Sequence, residues 1–294
     1  MTFTLAHLSD IHLAPLPPAH VLDLCSKRIT GYLNWQRKRR FVHDRAVLDT
    51  VTADLKAQAP DHIAVTGDIA NIGLEAEYPA GRAFLDGLGT PATVSFVPGN
   101  HDIYVAESTG FAERAWGDFM RGDGGEGFPY LKRRGPLAII GLSTGVPTAP
   151  FQATGTLGAA QLAALGPLLD RTRAETLFRV VLIHHPPVSD SPHHKRLTDA
   201  EAFTRIIAAH GAELILHGHD HLDILNIIDG PSGARVPAVG VPSASAAPGT
   251  DKDDAGYHLY RIDRDAHAWR CEMVVRRMSE DGMVREVKRE MLSA

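Results

Sequence analysis

The sequence predicts an α/β fold, and three observations carry that prediction. Short runs of Val, Ile, Leu and Ala recur along the 294 residues, many separated by stretches with helical spacing. Five of these runs end on polar clusters: Ser9-Asp10-Ile11-His12, Thr66-Gly67-Asp68, Gly99-Asn100-His101-Asp102, Ile183-His184-His185-Pro186 and His217-Gly218-His219-Asp220-His221. The last quarter carries short alternating runs broken by Gly, Pro and Asp, the pattern of hairpins. Apolar strands that deliver polar groups from their carboxyl ends are how open α/β sheets build sites.

Taken in order, Phe3–Leu8 reads as a strand ending at Asp10 and His12, and Pro15, Pro17 and Pro18 make the loop after it. From Ala19 to about Arg40, Leu22, Cys25, Ile29, Tyr32, Leu33 and Gln36 fall at helical spacing, with Gly31 the weakest helix former among them. Lys27, Arg28, Arg37, Lys38, Arg39 and Arg40 make this segment strongly basic. Asp44–Ala57 is amphipathic through Val47, Val51 and Leu55, and Ile63–Val65 is the next strand. A helix over Glu75–Leu88 and a strand over Ala92–Val97 follow, then a short helix over Phe111–Met120 and a loop at Gly122–Gly127. Tyr130–Leu131 and Leu137–Leu142 are strands, Gly158–Leu169 a helix, and Phe178–Ile183 a strand. Thr198 with Glu201 predicts a capping box opening a helix to about His210, and Leu214–Leu216 is a strand. Hairpins from about residue 223 use Ile224–Ile228, Val236–Val239, Tyr257–Ile262, Trp269–Val275 and Val284–Val287. There is no internal repeat and no linker, so residues 1–294 read as one domain with a basic helical insertion at about 19–40.

The formal net charge of −5 argues against a general nucleic-acid-binding surface. Cys25 and Cys271 make neither a disulfide framework nor a zinc ribbon, which fits a reducing compartment. The N-terminal residues lack the basic and apolar regions of a signal peptide, and no stretch is apolar enough to span a bilayer. The expected location is the cytoplasm, with contact to the inner membrane face through residues 27–40 as an option, because Tyr32 and Trp35 stand beside cations there. The same aromatic residues would suit base stacking. Oligomeric state is left open, a homodimer included.

The five strand ends carry Asp, His and Asn, a mixed oxygen and nitrogen set that suits Mn, Fe, Zn or Co better than Mg or Ca. The candidates are too many for one ion. Residues i and i+2 of a strand share a side, so Asp10 with His12, and His219 with His221, are expected to reach common points. With Asp68, Asn100 and His184 they can surround two cations, the arrangement that clamps the attacking and leaving oxygens of an in-line displacement. Asp68, the one acid at its strand end, is the natural bridge. His7, His62, His210 and His258 read as hydrogen-bonded core histidines, and His217 as a residue that can turn inward. Ser143 lacks a nucleophile-elbow context, and no phosphate-binding P-loop is present.

In this order and spacing the five motifs, over residues 1–245, resemble the calcineurin-like metallophosphoesterases, in particular class III cyclic-nucleotide phosphodiesterases and glycerophosphodiesterase-type members. The resemblance implies a four-layer αββα sandwich. It assigns Asp10, His12, Asp68 and His221 to one metal, and Asp68, Asn100, His184 and His219 to a second. It makes His101 the residue that contacts the scissile phosphate and protonates the leaving oxygen, oriented by Asp102. His185 is then a supporting or substrate-side residue, and Lys195 in His193-His194-Lys195-Arg196 is a substrate contact or part of a solvated loop. The reaction expected is hydrolysis of a cyclic nucleotide or small phosphodiester by metal-activated water. The alternatives are a pyrophosphatase on a nucleotide-linked lipid of the UDP-diacylglucosamine type, or a phosphomonoesterase. A scaffold without turnover is disfavoured, because every ligand position is filled and His101 is present.

Overall fold

The computed structural model describes residues 2–265 and 268–292. In chain order its strands are β1 (Phe3–Leu8), β2 (His62–Val65), β3 (Val94–Phe96), β4 (Tyr130–Arg134), β5 (Leu137–Gly141), β6 (Phe178–Leu182), β7 (Leu214–His217), β8 (Ile224–Asp229), β9 (Arg235–Gly240), β10 (Gly256–Arg264), β11 (Trp269–Met278) and β12 (Val284–Met291). Its helices are α1 (Arg28–Arg37), α2 (Arg45–Ala57), α3 (Glu77–Leu88), α4 (Ala106–Trp116), α5 (Gly158–Ala174) and α6 (Ala200–His210).

Two sheets form, with orders β12-β11-β10-β1-β2-β3 and β4-β5-β6-β7-β9-β8. In the first, β1, β2 and β3 are parallel and β10, β11 and β12 run on as an antiparallel meander. In the second, β5, β6, β7 and β9 are parallel, with β4 and β8 antiparallel at the edges. The parallel strands read as mostly apolar runs because both faces are covered. Leu5, Ala64, Val180, Leu216, Tyr260 and Met273 belong to one core between the sheets. Helices α2, α3 and α4 bury Val51, Leu55, Leu85 and Trp116 on the outside of the first sheet, and α5 and α6 bury Leu169, Phe203 and Ile207 on the outside of the second. The result is the mixed four-layer sandwich expected.

Local chemistry accounts for several boundaries. The Asp44 carboxylate accepts from the amide of Ala46 at 2.7 Å and starts α2. The expected cap at Thr198 is not formed: its hydroxyl donates to the Gly155 carbonyl, and Asp199 is the residue before α6. The Asp199 carboxylate instead accepts from Leu157 and Gly158 at the start of α5, so it serves a neighbouring helix. Helix α4 begins five residues before the expected Phe111, at Ala106.

The basic segment departs most from its sequence pattern. It is not one helix but a 3-10 turn at Val21–Leu24, then α1, then a 3-10 turn at Arg39–Phe41. The apolar stripe does not face the core: Leu22 is 85% exposed, and Ile29 and Leu33 are also exposed. The segment packs instead through Arg28, Gly31 and Trp35. Arg28 donates to the Gly73 carbonyl at 2.7 Å, and a methyl at Gly31 would collide with Tyr104 and Ile72. Close backbone approach at a glycine, rather than an apolar face, sets which side goes down. Trp35 is only 4% exposed, so it is neither a membrane anchor nor a stacking platform.

His7, His62 and His258 are buried packing residues, bonded to Thr66, Ser95 and Tyr260, whereas His210 is half-buried at the end of α6 and pairs with Asp170. Burial, with Lys132 nearby, pushes His62 down to about 3, and burial, with Arg277 nearby, does the same to His258. Both are neutral in the folded chain, whereas the unfolded chain binds protons below its ordinary value of about 6.5. Stability should therefore be full above that value and fall as pH drops toward 3. Urea unfolding at pH 7.5 and 5.0 should differ by about 2 kcal/mol for each such histidine, and His62→Gln should shrink the difference. An unchanged difference in that variant would remove His62 from the account.

Candidate metal centre

The site lies where β1, β2, β3, β6 and β7 end. After β1 the backbone leaves the extended form: Asp10 has φ 54° and His12 φ 40°. Asp68 after β2 has φ 55°, and His219 and His221 after β7 have φ 73° and 55°. Side chains other than Gly rarely occupy this left-handed region, and each costs about 1–3 kcal/mol unless its surroundings impose it. Asp10 and His12 do reach a common point, but through left-handed turns rather than strand alternation, whereas His219 and His221 diverge, His221 toward Asp10 and His12 and His219 toward Asn100. Ile11, between the first pair, is fully buried in the core. The amide of Asp10 donates to Gly67 at 3.0 Å and that of His12 to Asp68 at 2.8 Å, which ties the tail of β1 to that of β2. At Gly99 even a methyl group would overlap the Asp68 carboxylate and the His184 ring.

Two groups of potential ligands result, joined at Asp68. In the first, His221 Nε2 is 3.1 Å from Asp10 Oδ1, and His12 Nε2 is 3.4 Å from His221 Nε2 and 3.9 Å from Asp68 Oδ2. In the second, His184 Nε2 is 3.3 Å from both Asp68 Oδ2 and Asn100 Oδ1, and His219 Nδ1 is 3.0 Å from Asn100 Oδ1. The ligand atoms of Asp10, His12 and His221 lie within 4.8 Å of one another, as do those of Asp10, Asp68 and His184.

The hydrogen bonds behind the rings show what these groups are built to hold. His12 Nδ1 meets the Ala70 carbonyl at 3.2 Å, and His184 Nδ1 meets the Thr66 carbonyl at 2.6 Å. A carbonyl only accepts, so each Nδ1 carries its hydrogen and each Nε2 turns a lone pair inward. Those lone pairs face carboxylate and amide oxygens. His219 Nε2 is buried without a hydrogen-bond partner. Acceptors aimed at acceptors in a buried site call for cations. Electrostatics agree. Burial alone would depress His184, yet Asp68 and Asp10 push it up to about 10, so in this field even a proton is strongly held. Burial and the nearby Arg39 lower His12, keeping it the neutral imidazole that a metal requires.

The remaining expected residues divide. His101 diverges from Asn100: its ring stacks on Tyr104 at 5.6 Å, with Nδ1 on the Asn71 carbonyl. Burial, then Arg39, holds it down to about 3. Asp102 does not orient His101, contrary to expectation. Its buried carboxylate accepts from the amides of Asp68, Ile69, Ala70 and Gly99 at 2.7–2.9 Å, leaving Asn71 to fix the His101 ring. The buried His185 bonds Thr144 at 2.7 Å and the Ala153 carbonyl at 3.1 Å through its two nitrogens, with its ring 4.3 Å from that of His219. His217 is buried with Nδ1 3.2 Å from the Gly218 carbonyl, outside both ligand groups. Lys195 is exposed at the mouth of the site.

A family model described as calcineurin-like phosphoesterase matches residues 3–223. The chain belongs to the calcineurin-like phosphoesterases. It is 28% identical over 225 residues to a Synechococcus protein named a probable cyclic nucleotide phosphodiesterase, covering 75% of this chain and 74% of that one. A dimetal phosphatase from Danio rerio superposes with a TM-score of 0.62 at 14% identity, over 99% of this chain and 98% of the other. A purple acid phosphatase from yellow lupin gives 0.60 at 14% identity, over 97% of this chain and 53% of the other. Those two likenesses show the fold. As a calcineurin-like phosphoesterase the chain is a metal-dependent phosphoester hydrolase, and its Asp and His groups fit the family's dinuclear divalent centre.

Two cavities open over this phosphoesterase's centre. One, of about 370 Å³, is lined by Asp68, His219 and His221 with Lys38, Arg39 and Lys252. The other, of about 380 Å³, is lined by Lys27, Thr30, Tyr104, Phe151 and His194. They share Asn34, Asn100, His101, Ala153 and Lys195. Sequence reasoning missed His43, whose buried ring lies 4.3 Å from that of His12 with Nδ1 2.9 Å from Ser245 Oγ. It also did not separate Arg39 from its basic neighbours. No motif marks either residue; each is defined by what the fold brings to it.

Purified protein should carry up to two divalent metals per chain, and Asp68→Asn should weaken retention of both whereas His221→Ala mainly empties one. Metal analysis of both variants checks this, and full retention in Asp68→Asn would remove Asp68 as the shared ligand. Asp102→Ala leaves four amides without their acceptor and should cost about 3–5 kcal/mol in urea unfolding. A loss below about 1 kcal/mol would place that residue outside the framework.

Proposed function

We infer that the protein hydrolyses phosphodiesters, cyclic nucleotides or small diesters, at two transition-metal ions drawn from Mn, Fe, Zn or Co. The observation that carries this reading is the pair of cavities meeting at Asn100 and His101 above ligand groups joined by Asp68. A diester has an organic arm on each side of its phosphorus and a monoester only one. The name of the Synechococcus relative supports the same choice. Asp10, His12, Asp68 and His221 would hold one ion, and Asp68, Asn100, His184 and His219 the other. Bound there, the ions would activate water near neutral pH and offset phosphoryl charge. Asn100 Oδ1 faces the ligand groups, and Asn100 would meet a non-bridging oxygen. His101, whose ring burial and then Arg39 keep neutral, lines both cavities and would protonate the leaving oxygen once the substrate phosphate offsets the Arg39 charge. Lys195, at the mouth of the cavity, would contact the phosphate.

The deciding experiment is turnover of metal-loaded protein on bis(p-nitrophenyl) phosphate, p-nitrophenyl phosphate, cyclic nucleotides and a UDP-linked lipid. Diester turnover well above monoester turnover is expected; the reverse order would overturn the assignment. His101→Ala should keep both metals and lose kcat by about 10²–10⁴ on an alkyl diester, the scale of general acid catalysis. The loss should be smaller with p-nitrophenolate, which departs without a proton. Equal losses on both would make His101 a charge stabiliser.

One observation favours the lipid-linked pyrophosphate as a second reading. Val21, Leu22, Ile29, Leu33 and Phe41 are exposed on the same segment as the exposed Arg37 and Lys38. Apolar side chains among cations suit an anionic membrane surface. No helix among the described residues is long and apolar enough to cross a membrane, so such contact would be peripheral. Co-sedimentation with anionic vesicles, abolished by Leu22→Asp with Leu33→Asp, is expected on this reading; no sedimentation of the unmodified protein removes it.

A further inference from the structure

The basic insertion reaches the candidate centre through one side chain. Arg39 opens the 3-10 turn after α1, and its guanidinium lies between His12 and His101. Nη2 is 2.9 and 3.0 Å from the two nitrogens of His12, and Nη1 is 2.8 and 3.0 Å from the two nitrogens of His101. Near-equal reach to both nitrogens is available only over a ring face, since in the ring plane the intervening carbon is in the way. The two rings meet edge to face with centroids 5.0 Å apart, and the guanidinium covers both.

Its position is enforced from both sides. Upstream, Arg28 and Gly31 clamp α1 against Gly73 and Tyr104. Downstream, the Asp44 amide donates to Ser245 at 2.8 Å and the Ala247 amide to Val42 at 2.7 Å. The anionic groups acting on Arg39 include Asp68 and Asp10, both candidate metal ligands. Cations bound to those carboxylates would take up their charge, and the guanidinium would then face the cavity with Lys38, Asn100 and His101 and need another anion.

We propose that Arg39 is a substrate-binding residue whose guanidinium grips the non-bridging oxygens of the scissile phosphate, so that the insertion completes the active site. A phosphodiester monoanion offers two such oxygens, and the planar fork of an arginine matches them in a way that a lysine ammonium does not. The location suits that role, because His12 lies on the metal side of the guanidinium and His101 on the leaving-group side. The proposal rests on the phosphodiesterase reading above, but its test does not depend on turnover alone.

Arg39→Ala, Arg39→Lys and, as a neighbouring control, Arg40→Ala are compared in metal-loaded protein. Metals per chain, affinity for inorganic phosphate by calorimetry, and kcat and KM on bis(p-nitrophenyl) phosphate are measured. Arg39→Ala should keep both metals, bind inorganic phosphate at least about 10-fold more weakly, and lose about 10²-fold in kcat/KM. Free guanidinium should restore part of that loss, which a merely structural role would not allow. Arg39→Lys should fold, keep the charge and recover only part of the activity, and Arg40→Ala should match the unmodified protein. Unchanged phosphate affinity in both Arg39 variants would overturn the proposal. So would tighter metal binding in Arg39→Ala with phosphate affinity unchanged, which would make the guanidinium a competitor of the first cation. If the unmodified protein turned over no phosphodiester, the functional reading would fail, while the phosphate-affinity comparison would still decide Arg39.

Discussion

The site depends first on a carboxylate that takes no part in it. Asp102 is buried, and four amides from the ends of β2 and β3 converge on its two oxygens. Burying an anion costs several kcal/mol, and burial with the charge of Asp68 nearby pushes Asp102 up to about 7. Charge-assisted bonds from four amides act in the opposite direction. What they secure is the left-handed turn at Asp68, which leaves the Asp68 carboxylate within reach of both His12 and His184. The amide of His101 then donates to Asp68 Oδ1 at 2.8 Å, so the next strand end is locked to the same carboxylate. The protein's own backbone thus brings the candidate ligands together, and cations bound among them would relieve their mutual repulsion.

How much of this was legible in the sequence follows from the range of each interaction. Strands β1, β2, β6 and β7 are short apolar runs buried on both faces, and a buried parallel strand leaves that signature in sequence. The polar residues at their ends were readable because sheet topology forces them together. Asp102 was misread because its sequence neighbour is His101, whereas its partners are amides some thirty residues away together with Gly99. Thr198 was misread for the same reason: its hydroxyl found Gly155, a partner no local pattern can name. Likewise, α1 follows its glycine and not its leucines.

Arg39 shows the limit most plainly. It stands within four consecutive cations, Arg37 to Arg40, and nothing in that run separates the one that turns inward. The choice is made by the break between α1 and the turn at Arg39–Phe41. Lys38 has φ −133° and ψ −56°, which ends the helix and redirects the next side chain. Arg37 and Arg40 remain outside, and Arg40 stacks on Phe41 at 4.6 Å. A single residue out of helical register thus separates surface charge from charge at the site.

That geometry ties together what the strand ends and the insertion do. The strand ends supply a deep, acceptor-rich floor whose composition is common to chemistry at any phosphate. Walls and roof come from the less regular parts of the chain: Lys27, Thr30, Gly31 and Asn34 from the basic segment, Phe151 to Ala153 from the loop after β5, and His194 and Lys195 from the loop after β6. Lys27 fastens two of these together, donating to Thr148 at 2.5 Å and to the Gln152 carbonyl at 2.8 Å. The second cavity is therefore closed by contacts between segments that belong to no sheet. Burial pushes Lys27 down to about 8, and its ammonium lies 4.4 Å from the centre of the Tyr104 ring. Selection among phosphate esters would then reside in this layer, where side chains change without disturbing the floor, while the capacity to break the ester bond resides below it.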